Sequence, residues 1–278
     1  MLDCQPMPEL ATVVPRPAYL DLIDEHQAVG FTHRRRAVYI LTLPCVLGLV
    51  VGGAIGVATL PLYFAIPVAL VVGLVFAGVV RWRATPAVVK RVGARPAKAD
   101  EFLRIDNMLE TLSLTVGVGR PNLYVVDDER IEVMAVGIDD RRACLVVTSS
   151  VEARCTTMEL EALLAHALVR IKDSSMAPGT VGVLAVVPFG GLGRWVWSRL
   201  GPEPLEATDH RTVRVTHYPP ALSAALAEIR DSTELSGNRK RPGGASVGHL
   251  WTVPDLGECT LAVGGVGLEA RQQILDEI

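Results

Sequence analysis

Residues 160–173 read "LEALLAHALVRIKD", and within them His166, Ala167 and Arg170 stand at the spacing of a metal-dependent hydrolytic helix. In the HExxH arrangement two histidines four residues apart share one helical face and bind one zinc ion, while the glutamate beside the first acts as general base. Here the corresponding run is His166, Ala167, Leu168, Val169 and Arg170. Ala167 offers no carboxylate, and Arg170 cannot lose a proton to bind a metal and would repel one. A lone imidazole falls short of the roughly three protein ligands and open water position of a catalytic zinc. One rebuilt set is conceivable: Glu206 and His210 lie four apart, so on a helix they share a face and with His166 could supply three donors. Glu206 also reads more simply as an acid near a helix N-terminus, and pairing of Arg170 with Glu206 or Asp209 would put a cation in the metal's place.

The elements that must position these residues follow from pattern. The helix carrying His166 starts near Thr156 or Thr157, with a hydroxyl cap and Glu159 in its first turn. Before it, Glu101 to Val116 has helical spacing, and "LYVVDD" and "ACLVVTSS" read as short strands of a small sheet with hairpin connections. After it come helices over Glu206 to Thr216 and Pro220 to Arg230, then "SGNRKRPGG", which reads as a mobile basic loop. Thr180 to Leu200 is apolar but contains a proline, four glycines and Arg194. It suits an interfacial or buried segment better than a clean crossing, with Trp195 and Trp197 at headgroup depth.

The first part of the 278-residue chain is different. Half of all residues are apolar and the mean hydropathy is +0.34, high for a soluble domain. Ala37 to Val80 is a run of 44 residues without a charge, enough for two crossings at about 20 residues each. A hairpin is expected, with helices over about 38–57 and 62–80 and an outer turn at Thr59, Leu60 and Pro61. Gly48, Gly52, Gly53 and Gly56 would allow close approach. Residues 1–36 form an N-terminal arm, and their polar character disfavours a cleaved signal peptide. Arg34 to Arg36 before the hairpin, and Arg81, Arg83, Lys90, Arg91, Arg95 and Lys98 after it, place both ends on the cytoplasmic side. Residues 81–278 are then a cytoplasmic domain at the inner membrane of a multi-pass protein. A net charge of −3 argues against nucleic acid as a partner. Five cysteines form no CxxC pair and suit buried thiols in a reducing compartment.

Several segments in order carry a resemblance. "RPNLYVVDD", "IEVMAVGIDDRRACLVVTSSV", "ELEALLAHALVRIKD", "EATDHRTVRVTHYPPALSAALAEI", "GHLWTVPDL" and "LEARQQILDEI" resemble successive segments of HtpX-like and CAAX-prenyl-protease-like membrane zinc metallopeptidases. The likeness runs over about residues 30–278. It implies an α+β fold: a transmembrane helical hairpin followed by a zincin-like domain, mostly helical with a small sheet. The family's general base falls on Ala167, its second histidine ligand on Arg170 and its third ligand on Leu205. Asp209 would be the carboxylate that supports the site from behind.

The resemblance also implies that substrate lies beside the active-site helix and pairs with an edge strand, here Val133, Met134, Ala135, Val136 and Gly137. Such strand addition rests on main-chain hydrogen bonds and needs no metal. The expected function is a membrane-anchored pseudopeptidase that binds a polypeptide or membrane partner as adaptor or regulator, beside the lipid bilayer and without a cofactor. The alternative is an active membrane zinc endopeptidase with a rebuilt metal site. His249, in "GHLW", is expected to be structural, and His26, His33 and His217 are expected at surfaces or interfaces.

Overall fold

The computed structural model describes residues 30–59, 62–98, 100–201, 203–237, 239–254, 261 and 266–278. Helix α1 (residues 30–40) turns at Leu41 into α2 (Thr42–Thr59), which packs along α3 (Leu62–Val92). Glycine sets this approach: a Cβ on Gly48 would lie 2.8 Å from the Gly73 Cα, and one on Gly52 would lie 3.0 Å from the Ala69 Cα. Two helices, Gly30–Ala54 and Ile66–Val92, are long and apolar enough to cross a membrane. The expected outer turn at Leu60 and Pro61 lies outside the described residues. Helix also begins earlier and runs later than the apolar stretch alone implies. Residues 30–36 are helical, and α3 passes its predicted end at Val80, runs on through Pro86 and stops at Gly93, in the left-handed region at φ 75°.

Beyond the hairpin, β1 (Arg95–Pro96), α4 (Leu103–Val116), β2 (Asn122–Val126), β3 (Val133–Val136) and β4 (Cys144–Thr148) build a four-stranded mixed sheet in the order β1-β2-β4-β3. β3 and β4 form an antiparallel hairpin, whereas "LYVVDD" and "ACLVVTSS", expected to be joined as a hairpin, pair in parallel as β2 and β4, because β3 lies between them in the chain. Alternate side chains separate into two cores. Val133, Ala135, Leu145 and Val147 pack towards the helical layer, while Met134, Val136 and Val146 pack against Val88, Leu250 and Trp251. Burial on both faces explains why these strands read as unbroken apolar runs.

After the short α5 (Val151–Arg154) comes α6 (Thr157–Lys172), the central helix, packed by α4, β3, α9 (Leu205–Thr216) and α10 (Pro219–Leu235). Its start carries the hydroxyl cap expected from the sequence, here as a full capping box: Thr156 accepts from the Glu159 amide, and Glu159 accepts from the Thr156 amide. Segment 180–200 folds as α7 (Met176–Ala185), a 3-10 turn and α8 (Gly190–Leu200), the two helices meeting at a 47° bend. Trp195 is exposed. Trp197 is instead buried edge-on against His249 at 5.1 Å, because it lies on the opposite face of α8. The chain ends with α11 (Leu268–Asp276).

Two further expectations are corrected. His33 is buried rather than superficial, with Nε2 3.3 Å from Glu203 Oε2. The basic loop is anchored: the carbonyls of Arg239 and Lys240 accept from the buried Arg130 guanidinium, and Arg241 pairs at 3.0 Å with buried Glu132.

Candidate functional site

The site is built where α6, α9, α11 and the segment 248–252 converge. His166, Ala167 and Arg170 lie in the stretch of α6 that is buried all round. Asp209 projects from α9, with Leu205 one turn earlier on the same face and also buried. His166 Nε2 lies 3.2 Å from Asp209 Oδ1. The same carboxylate is gripped by Arg271 of α11, whose Nε donates to Oδ2 at 2.6 Å and whose Nη2 donates to Oδ1 at 2.7 Å. This bidentate geometry is that of a strong charge-assisted pair. The remaining Arg271 nitrogen, Nη1, donates to the Thr252 carbonyl at 3.0 Å.

The electrostatics follow from burial and from these partners. Burial alone would raise the Asp209 pKa, but His166 and Arg271 outweigh it and hold the carboxyl at about 2. Burial pushes His166 down, with the charges of Arg271 and Arg170 adding to the effect and Asp209 opposing it, so the imidazole is neutral. Arg170 is lowered to about 10 by burial and by Arg271, and it stays a cation at neutral pH.

Arg170 does not make the pair expected of it. Its Nη1 donates at 2.7 Å to the Leu250 carbonyl, and the carboxylate that was to neutralise it belongs to Arg271. Arg271 is the residue that sequence reasoning missed; its only signal was its place in "LEARQQILDEI". The rebuilt donor set does not assemble either. His210 is exposed while His166 is wholly buried, and Glu206 accepts from the Val266 amide. Among the described residues no three His, Cys, Asp or Glu side chains stand together as metal ligands. Two guanidiniums beside one imidazole and an already paired carboxylate do not fit zinc.

The predicted peptide-binding edge is occupied by the chain itself. Met134 bridges Trp251 in antiparallel register, and the Thr252 amide and hydroxyl both donate to the Val133 carbonyl, at 3.0 and 2.7 Å. The Gly137 amide donates to Thr180 Oγ1 at 3.1 Å. The strand 133–136 is therefore buried throughout, a correction to the free edge expected from the resemblance. Three arginines hold the covering segment by its carbonyls: Arg170 on Leu250, Arg271 on Thr252, and Arg241 on Val253 at 2.6 Å. His249 adds a contact of 3.1 Å from Nε2 to the Gly179 carbonyl, which supports the structural role expected of it.

Comparison with known proteins gives one consistent answer. No family model matches the chain, and no solved structure matches it. Curated relatives do. They include the Protease HtpX homolog of Streptococcus agalactiae serotype III (strain NEM316), 23% identical over 159 residues, covering 57% of this chain and 53% of that protein. The Protease HtpX homolog of Tropheryma whipplei (strain Twist) is 26% identical over 197 residues, covering 57% of this chain and 66% of that protein. That of Dictyoglomus thermophilum is 31% identical over 99 residues, covering 36% and 33%. The chain thus spans about half the length of the first of these relatives. With its helical domain, small mixed sheet and apolar N-terminal helices, the chain is similar to these HtpX-like proteases.

Proposed function

We propose that this chain is a pseudopeptidase: a membrane-anchored, metal-free member of its family that binds a polypeptide or membrane partner as adaptor or regulator. The observation that carries the reading is the Asp209–Arg271 pair beside His166, with Arg170 turned to the Leu250 carbonyl. Two guanidiniums flank His166, and the carboxylate beside it is already held by Arg271, where a zinc ion, a water and a general base would be needed. The basic flanks of the hairpin support an orientation with residues 81–278 on the cytoplasmic side of the inner membrane. A partner strand that adds to β3 must displace residues 251–252, so strand binding is coupled to release of that segment.

The test is hydrolysis of an unfolded protein such as reduced casein by detergent-purified full chain with zinc added. The reading expects no cleavage above a chelator-treated control. Chelator-sensitive cleavage that disappears in His166→Ala would overturn it.

A further inference from the structure

The last uncharged residue of the apolar run in α3 is Val80, and Arg81, Trp82 and Arg83 follow it directly. At this level two adjoining hollows, of about 510 and 420 Å3, open between α1, α3 and the turn joining β3 to β4, and they share Arg81, Ile138 and Asp139. Four guanidiniums line them: Arg34 from α1, Arg81 from α3, and Arg141 and Arg142 from the turn.

Among the described residues, only two carboxylates face these four cations. Arg34 reaches Asp140 at 3.3 Å and Arg81 reaches Asp139 at 3.8 Å, and all four side chains are substantially hydrated. Asp139 is further engaged in the turn, where it accepts from the Arg142 amide at 3.0 Å. The side chains of Arg141 and Arg142 are exposed and meet no carboxylate among the described residues. The exposed Val38 lines the first hollow and the exposed Trp82 the second, so the cationic groove continues into apolar surface.

We propose that this groove binds the phosphate of an acidic glycerophospholipid, with Arg141 and Arg142 as its ligands, Arg34 and Arg81 at its floor, and the acyl chains along Val38. Guanidinium forks match phosphate oxygens. Basic side chains at the cytoplasmic surface gain from the anionic lipid there, and an indole at headgroup depth fits the same plane. The proposal rests on the hairpin crossing the bilayer; a free phosphate would share the head-group chemistry but would make no use of the apolar flank.

The experiment uses the full chain, delipidated in detergent and offered equal amounts of phosphatidylglycerol and phosphatidylcholine, with retained lipid counted by native mass spectrometry. Phosphatidylglycerol should be retained in excess, and Arg141→Ala with Arg142→Ala should lower that excess about tenfold. Arg194→Ala with Arg199→Ala on α8 should leave it unchanged. Equal retention of the two lipids, or an excess that survives the double variant, would overturn the site. Inorganic phosphate that binds without any preference between the lipids would overturn the lipid as its ligand. Flotation with phosphatidylcholine vesicles separates the two failures: a chain that does not float removes the hairpin reading itself, whereas one that floats without selectivity removes only the groove.

Discussion

Arg271 holds Asp209 through two guanidinium nitrogens in the interior of the domain, and the third nitrogen holds the carbonyl of Thr252. One side chain from the last helix thus ties α9 to the segment that closes the sheet edge. Removing it leaves a carboxylate that is 3% exposed and has lost both of its guanidinium hydrogen bonds, with a neutral imidazole beside it and Arg170 farther off. Arg271→Met should cost about 3–5 kcal/mol of stability. Adding Asp209→Asn should recover part of the loss, because the orphaned charge is then gone. Thermal unfolding of the single and double variants checks this, and equal stability of all three would contradict it.

Acid should destabilise the domain in two windows. His249 is held down to about 4, mainly by burial, so its unfolded form takes a proton first and stability falls as pH drops from about 6.5 towards 4. Asp209, held at about 2, contributes about 2 kcal/mol above its unfolded value near 3.8, lost as pH falls to about 2. His249→Gln should shrink the first window, to which the buried His166 also contributes, and leave the second. Melting temperature measured against pH in both proteins decides.

Arg170 should matter for the covering segment and not for a metal. Arg170→Met removes a charge-assisted hydrogen bond to the Leu250 carbonyl, worth about 1.5–3 kcal/mol. Hydrogen exchange at the Thr252 amide, which donates to Val133, should accelerate, and the emission of buried Trp251 should shift to the red. Unchanged exchange at Thr252 would mean that Arg170 does not hold the segment.

Restoring the lost motif should need three changes. Ala167→Glu with Arg170→His leaves the buried Leu205 where a third ligand would stand, so this pair should not bind zinc. Adding Leu205→Glu supplies the third donor on the face that already meets His166. Zinc analysis of both variants tests this, and uptake by the double variant would place the third ligand elsewhere.

Much of this was legible in the sequence because it is local. The cap at Thr156 with Glu159, the alternation in β3 and β4, and the uncharged run in the hairpin each depend on neighbours a few residues apart. What escaped depends on distant partners. Arg271 meets Asp209 across 62 positions and Arg170 meets Leu250 across 80, and no periodicity encodes either contact. Trp251 and Thr252 have no strand pattern of their own, so their place on the edge of β3 exists only in the folded chain. Trp197 was read by type as an interfacial residue; its side of α8 decided otherwise.

The central claim is that His166, flanked by Arg170 and by a carboxylate already taken up by Arg271, holds no metal. Elemental mass spectrometry of detergent-purified full chain, with His166→Ala beside it, addresses this directly. The account predicts zinc near zero in both proteins. About one zinc per chain, lost in His166→Ala, would contradict it and make the peptidase reading the leading one.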